Sequence, residues 1–343
     1  MNNTDILTNI EYLHRAFKKS KTRRSYTVSS VLFEDDLFAN LEQIAKEIEN
    51  KTFRVSGYTE FDVSIPKQRH IKACKFRDKV VQHVLCDNIL APMLPDICIH
   101  DNYAGQKGKG TGLARERLRE NLMDFYSKNG ESGFIYKADI RKYYYNIVHE
   151  KAKDIMNYYF PEEIHWLIDE FIDSTIDDTE KNAGIALGNQ INTIVSCLYL
   201  DGMDKFIVNE LGIRYYGRYA DDFYLIHKDK ERLKECAAYI EEFLETLGLE
   251  LNQKSQIMPF KNGISFLGFH FYVRNWECII RLDNGKKRAY RRKFNRMHKL
   301  VKNGKLEVKK LEESYKSWKN HAMLCTDKTI FNYYEQKMRE VRT

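Results

Sequence analysis

The sequence predicts an α+β fold, and three observations carry that expectation. Apolar residues recur at helical spacing in several long stretches, with Leu37, Leu41, Ile44 and Ile48 on one face as the clearest case. Elsewhere, around 53–72, 133–140, 213–226 and 264–282, the pattern shortens to alternating or continuously apolar runs bounded by turns, the signature of strands. Only five prolines and no low-complexity tract interrupt the 343 residues, so these elements pack without long linkers.

Taken in order, residues 1–50 read as helices, with Asn3, Thr4 and Asp5 as N-cap candidates before Ile6, Ile10 and Leu13. Residues 58–65 and 66–71 alternate as two strands, with Pro66 marking the turn. Residues 77–90 form an amphipathic helix expected to end before Ala91 and Pro92. A loop, 103–112, holds four glycines with Lys107 and Lys109 and leads into a helix at 113–126. Flexible backbone amides, lysine charge and a helix N-terminus suit a phosphate, although a loop that only caps the helix has the same composition. Residues 133–140 are a buried strand ending near Asp139. Helices follow at 149–159, 161–173 and 190–210, a hairpin around Asp221, a helix at 229–247 and a strand at 249–252. A hairpin of 264–273 with 278–282 precedes helices that run from 286 to the end.

A net charge of +7 is mild, but its distribution is uneven: from Gly285 to Lys310 twelve Lys/Arg stand against Glu307 alone. Such a stripe is commonly a solvated face. The local extreme, together with 22 Tyr and 19 Phe, favours a nucleic-acid surface whose affinity falls with salt. Seven scattered cysteines without a CxxC pair read as reduced thiols, with neither zinc site nor disulfide framework. The N-terminus lacks a basic region followed by an apolar stretch, and no apolar run reaches membrane-spanning length. The expectation is a soluble cytoplasmic protein with no membrane partner.

Two adjacent carboxylates, Asp221 and Asp222, interrupt the apolar run 213–226, and Asp139 ends another. Charge there is costly unless partnered, and a divalent cation is the strongest partner. Successive strand residues point to opposite faces, so a turn at Ala220 to Asp222 is needed to aim a carboxylate at a shared site. An ordinary Asp-rich turn has the same local sequence. Two strand-borne carboxylates meeting across one sheet are the layout two-metal phosphoryl transfer needs.

In this order the chain resembles bacterial reverse transcriptases of the group II intron-like and retroelement class. The resemblance covers nearly the whole chain through eight ordered motifs, 65–69, 76–82, 103–111, 138–144, 184–190, the YxDD box 219–222, 247–254 and 266–269. It implies a right-hand polymerase with an N-terminal helical segment (1–50), fingers (51–132), palm (133–283) and basic helical thumb (284–343). The implied reaction is addition of dNTPs to a 3′-hydroxyl by RNA-directed DNA synthesis. Asp139, Asp221 and Asp222 are the implied catalytic residues, and with Ile140 they hold two Mg²⁺, with Mn²⁺ as the alternative. Lys67, Arg69, Tyr144, Gln190 and Lys254 are implied at the dNTP, Tyr144 by excluding a ribose 2′-hydroxyl. Template and primer fall to Lys107, Lys109, Phe266, Leu267, Gly268, Arg288, Arg291, Arg292, Lys293 and Arg296. Implied partners are a dedicated noncoding RNA template, the DNA product, and an accessory protein or a second copy of the chain.

The loop departs from its relatives. Leu187 to Thr193 lacks the Ser-Gln of diversity-generating enzymes and the Pro-Gln-Gly of intron enzymes, whereas Ser317 to His321 resembles the thumb of the diversity-generating group. Antiphage defence is the expected role, with a diversity-generating retroelement second. A catalytically silent RNA-binding scaffold is the reading of another class, opposed by the three intact aspartates.

Overall fold

A computed structural model describes residues 2–21, 27–64, 68–175 and 182–342. Four helices open the chain, Asn3–Thr8, Ile10–Lys21, Val28–Asp35 and Leu37–Glu49. The N-cap is Asn2 rather than the residues after it: its side chain accepts from the Asp5 amide while the Asp5 carboxylate accepts from the Asn2 amide. The helix at Val28–Asp35 has no apolar period to announce it, since Val28, Val31 and Leu32 are exposed. Its buried Phe33 packs with Phe17 and Phe76, ring centroids 5.5–6.0 Å apart.

Strands β1 (Tyr58–Val63) and β2 (Arg69–Cys74) pair antiparallel from Tyr58↔Cys74 to Val63↔Arg69. The next helix, Phe76–Leu85, does not stop at Pro92 as expected. It passes through a π turn, Cys86–Leu90, into Ala91–Ile97, and proline is tolerated there because it lies in the first turn of the new segment. Helix Thr111–Asn129 precedes β3 (Phe134–Asp139). His149–Tyr159 and His165–Asp173 pack on each other. The single helix expected at 190–210 is broken into Gln190–Leu198 and Asp201–Lys205, followed by a π turn at Phe206–Glu210.

Strands β4 (Tyr215–Tyr219) and β5 (Asp222–His227) form the hairpin around Asp221, and helix Lys230–Thr246 follows. The strand expected at 249–252 is a single bridge, Leu251 to Ile140. The true strand is β6 (Gln256–Pro259), paired antiparallel with β3 from Phe134↔Pro259 to Lys137↔Gln256. The four run in the order β4-β5-β3-β6. Beyond them β7 (Ile264–Phe266), β8 (Phe269–Arg274) and β9 (Glu277–Leu282) make an antiparallel meander. The expected strand 264–273 is split because Leu267 (φ 48°) and Gly268 (φ 88°) reverse the chain. Helices Asn284–Lys302, Val308–Ala322 and Asn332–Arg342 close the chain.

Contacts divide the chain into two compact units. One holds 1–114, 138–223 and 235–255; the other holds 115–137, 224–234 and 256–343. The core of the first centres on residues such as Leu13, Ile44, Val80, Ile140, Leu198 and Phe223, all buried. In the second, an aromatic cluster joins the last three helices: the Trp318 ring stacks on Tyr290 at 4.4 Å, and Phe294 and Tyr334 meet edge to face. No helix among the described residues is long and apolar enough to cross a membrane.

Candidate active site

The site grows from the end of β3. Asp139 is its last residue and is half-buried between the buried Ala138 and Ile140. The segment 250–255 closes around it. The Asn252 amide donates to the Asp139 carbonyl (2.7 Å), Asn252 Nδ2 donates to Asp139 Oδ2 (3.2 Å), and Ser255 Oγ accepts from the Asp139 amide (3.3 Å). The Arg141 amide donates to the Glu250 carbonyl at 2.9 Å, so the segment pairs with 139–141 around the single Leu251–Ile140 bridge and goes no further as a strand. Lys254 stands exposed beside it, its amide donating to Asn252 Oδ1.

The β4–β5 turn reaches the same place. The Ile140 amide donates to the Asp221 carbonyl at 3.2 Å, so the residue after Asp139 is bonded directly to Asp221. Ala220 holds φ at 56°, a left-handed value costly for a residue with a Cβ, and it reverses the chain just before the two carboxylates. Asp221 and Asp222 are both half-buried.

What holds Ala220 in that conformation is a feature absent from the expected site. Strand alternation puts Tyr216 and Arg218 on one face, and that face is sealed. Arg218 is completely buried and grips Asp204 twice, Nε to Oδ1 at 2.6 Å and Nη2 to Oδ2 at 2.5 Å. Tyr216 donates to the same carboxylate at 2.6 Å and Asn102 Nδ2 at 3.3 Å. Two further Arg218 N–H groups reach the carbonyls of Cys197 and Ala220, both at 3.0 Å. A buried guanidinium is thereby bonded to the strained turn itself. Burial pulls the Arg218 pKa down, but the Asp204 charge and hydrogen bonds push harder, and the net shift is up, so the group stays charged. Cys197 Sγ lies 3.8 Å from Cys98 Sγ and 3.4 Å from Asn102 Nδ2 within the same packed region.

Of three consecutive tyrosines, Tyr143 is buried, with its hydroxyl donating to the Ser196 carbonyl, and Tyr145 is exposed. Tyr144 is half-buried, 3.0 Å from Ser196 Oγ. Burial raises its phenol pKa, Ser196 opposes this, and the Asp221 charge raises it further, which places the ring in the electrostatic reach of the aspartate.

The other expected residues are dispersed. Lys67 lies outside the described residues. Arg69 begins β2 and is exposed. Gln190 opens its helix with its amide on Gln82 Oε1 and its Nε2 on Asp87 Oδ1 (2.7 Å), so half its amide is already committed within the protein. Lys107 is exposed, but Lys109 is not the open cation expected. Its ammonium donates to the carbonyls of His100 (2.9 Å), Asn102 (3.0 Å) and Ile99 (3.4 Å), and burial lowers its pKa. Its ammonium is spent on these loop carbonyls, that of Asn102 shared with Gln106 Nε2 and that of Ile99 with the Asn102 amide. In the second unit Phe266 is buried, edge to face with Tyr224, and Leu267 and Gly268 form the turn after it. Arg288, Arg291, Arg292, Lys293 and Arg296 are all exposed on Asn284–Lys302, whose buried face is Phe294 and His298.

Residues 60–271 match the family model for reverse transcriptase, an RNA-dependent DNA polymerase. The chain belongs to the reverse transcriptase family. The family is that of RNA-directed DNA polymerases, and the chain has an α+β polymerase fold. Among solved structures, telomerase from Candida albicans in complex with a fragment of telomeric RNA aligns at 12% identity and a TM-score of 0.53, over 86% of this chain and 57% of that one. Apo telomerase from Candida tropicalis aligns at 12% identity and a TM-score of 0.50, over 66% of this chain and 55% of that one. At such identities the likeness is one of fold, and this chain spans little more than half the length of either telomerase chain. No curated protein matches the chain.

The family generally uses divalent metal ions. Among the described residues no group of three or more His, Cys, Asp or Glu side chains is arranged to hold an ion. The donors present still fit one class of cation. They are carboxylate oxygens, half-buried, from chain segments joined by the Ile140–Asp221 hydrogen bond. A small, hard cation that keeps much of its water and takes further oxygens from substrate phosphates needs no fuller protein shell.

Proposed function

We propose that the chain extends a nucleic-acid 3′-hydroxyl by two-metal transfer of a nucleotidyl group from a dNTP, on a dedicated RNA template. The bond from the Ile140 amide to the Asp221 carbonyl carries this reading, because it makes the end of β3 and the β4–β5 turn one site. Asp139 and Asp221, with Asp222 and the Ile140 backbone beside them, would hold Mg²⁺ or Mn²⁺, which would supply charge stabilisation at the attacking and leaving oxygens. Asn252 orients the Asp139 carboxylate through Oδ2. Tyr144 closes the sugar side by bulk, with its hydroxyl oriented by Ser196. Arg69 and Lys254 would contact the triphosphate, a role the sequence also gives Lys67, and the exposed cations of Asn284–Lys302 would follow the duplex backbone. In this reading 51–132 are fingers, 133–283 palm and 284–343 thumb.

Primer extension on an RNA template tests the chemistry. Asp221→Asn should lower the rate by at least about a thousandfold, the scale of several kcal/mol of lost charge stabilisation. Chelation of divalent cations should do the same to the wild type. Tyr144→Ala should admit rNTPs while keeping dNTP use. Extension by Asp221→Asn at the wild-type rate sinks the metal assignment, and unchanged rNTP exclusion sinks the gate.

For biology the reading is antiphage defence, supported by the departure of Leu187 to Thr193 from both better-known loop types. A diversity-generating role is the second reading, favoured by Ser317 to His321. There Trp318 is a core residue of the thumb aromatic cluster. Sequencing of nucleic acid co-purified with the protein separates them, because a variable-repeat copy supports the second and complementary DNA to one small RNA the first.

A further inference from the structure

Helix Gln190–Leu198 starts at a residue of the right type to cap it, yet the cap bond is missing. Asn189 is the N-cap, with an extended backbone, and an asparagine there ordinarily accepts from an amide of its own helix. Its side chain makes no such bond and turns instead to β2. Oδ1 accepts from the Cys74 amide at 3.2 Å, and Nδ2 donates to the Lys72 carbonyl at 3.1 Å. Turned the other way, the amide would set donor against donor and acceptor against acceptor, so the two bonds fix its orientation. Asn189 is only 4% exposed. The first helical amide, that of Gln190, is served from outside by Gln82 Oε1 at 3.1 Å.

The edge that Asn189 grips is the one turned away from β1. The Lys75 amide bonds to the Gly57 carbonyl just before β1, and alternation along the strand puts the Lys72 carbonyl and the Cys74 amide on the opposite side. The Asn189 amide therefore pairs with β2 as a residue of a third strand would. β1 and β2 form a sheet of two strands, and such a hairpin is marginal by itself, so its place depends on what holds it. Gly188 brings the loop against Ile71, at a φ of 100° that a residue with a Cβ rarely adopts.

The other end of the loop is tied to Tyr144. The Ile185 amide donates to the Tyr144 carbonyl and the Gly184 amide to the Ile147 carbonyl, both at 2.9 Å. In between, Asn192 Nδ2 donates to the Ala186 carbonyl at 2.9 Å. Ser196, which meets the Tyr144 hydroxyl, rides on the helix that Asn189 begins. Tyr144 is thus held at its backbone by the loop and at its hydroxyl by the helix, and loop and helix join at Asn189. Arg69 stands three residues before Lys72 on the strand that Asn189 holds. All of these residues belong to the first unit.

We propose that Asn189 is a positioning residue for the incoming nucleotide, fixing the gap between Tyr144 at the sugar and Arg69 at the triphosphate. A ring excludes a 2′-hydroxyl by bulk only while the nucleotide cannot back away from it. Once β2 is released, the triphosphate anchor shifts and a ribose finds room. The proposal rests on the polymerase reading and deepens it, because sugar selectivity then belongs to the spacing as well as to the ring.

The test is steady-state primer extension on an RNA template, with dNTPs and rNTPs measured separately. Asn189→Leu keeps the branched shape and removes both bonds, and Asn189→Ala removes them without added bulk. In each, KM for dNTP should rise roughly tenfold and the preference for dNTP over rNTP should fall roughly tenfold. Neither quantity depends on how much of a preparation is folded, so a variant that folds incompletely still reports. Placed on Tyr144→Ala, Asn189→Leu should raise KM again but change the sugar preference no further, since both act through one ring. A lower Tm with wild-type KM and wild-type sugar preference makes Asn189 a structural residue and overturns the proposal. Additive losses of sugar preference in the double variant overturn it too. A wild type that extends no primer sinks the polymerase reading and this proposal with it, whereas extension that Asn189→Leu and Asn189→Ala leave unchanged sinks the proposal alone.

Discussion

Two of the protein's hairpins, β4–β5 and β1–β2, are built on opposite terms. In β4–β5 every residue from Tyr215 to Arg218 and from Phe223 to Ile226 is buried, and its turn is held by a guanidinium with no exposure at all. In β1–β2 nearly every residue of the first strand is exposed. There His70 bridges Asp62 and Glu60 at 3.0 Å on the outside of the ladder. The first hairpin carries the carboxylates proposed to share a cation with Asp139. The second carries Arg69, whose proposed ligand arrives and leaves. Rigidity is spent where charges have to be pre-positioned, and exposure is kept where a substrate has to be captured.

Breaking the buried clamp should give the largest effect. Arg218→Ala leaves Asp204 buried without its cation and should cost about 3–5 kcal/mol of stability, read as a large fall in Tm. Arg218→Met combined with Asp204→Leu should recover most of that Tm, because an apolar pair can replace a buried ion pair. Activity should stay low in the double variant, since the Ala220 carbonyl has lost its donor. Full recovery of kcat there would show the clamp to be structural only.

On the exposed hairpin the balance reverses. Arg69→Ala should raise KM for dNTP roughly tenfold or more, as expected for a charge-assisted contact of about 1.5–3 kcal/mol. Its stability should stay within about 0.5 kcal/mol of wild type. A lower Tm with unchanged KM would make Arg69 a scaffold residue. The smallest effect is that of pH. Hydrogen bonds that the protonated His70 ring donates to Asp62, then to Glu60, raise its pKa above the usual value. The stabilisation this brings is complete below the unfolded pKa and is lost as pH rises through the higher folded one. Amide exchange in β1 and β2 should therefore quicken across that rise, while β4 and β5 show no matching step. Equal pH dependence in both hairpins would remove His70 as the cause.

What could be read from the sequence follows the same contrast. Asp139, Asp221 and Asp222 were legible because charge inside an apolar run is conspicuous, and the order of the motifs led to the family. Arg218 was no less conspicuous by that rule, standing between Tyr216 and Ala220 in the same run. Its partner Asp204 is fourteen residues away on a short helix, and no periodicity links the two. Lys107 and Lys109 read alike as loop cations, yet one is exposed and the other fastens three carbonyls. A lysine's letters do not tell whether water or backbone surrounds its ammonium. Residues 249–252 have the composition of a strand, but they pair with 139–141 only around the single Leu251–Ile140 bridge.

None of the seven cysteines is in a disulfide among the described residues, and six are buried. Two of them, Cys98 and Cys197, sit among the groups that brace the β4–β5 turn, and Cys278 is the one part-way open to solvent. The protein thus carries its own chemical stopwatch. A thiol reagent added to the native state takes Cys278 first, and the delay before Cys98 and Cys197 react measures how often the brace behind Ala220 comes undone.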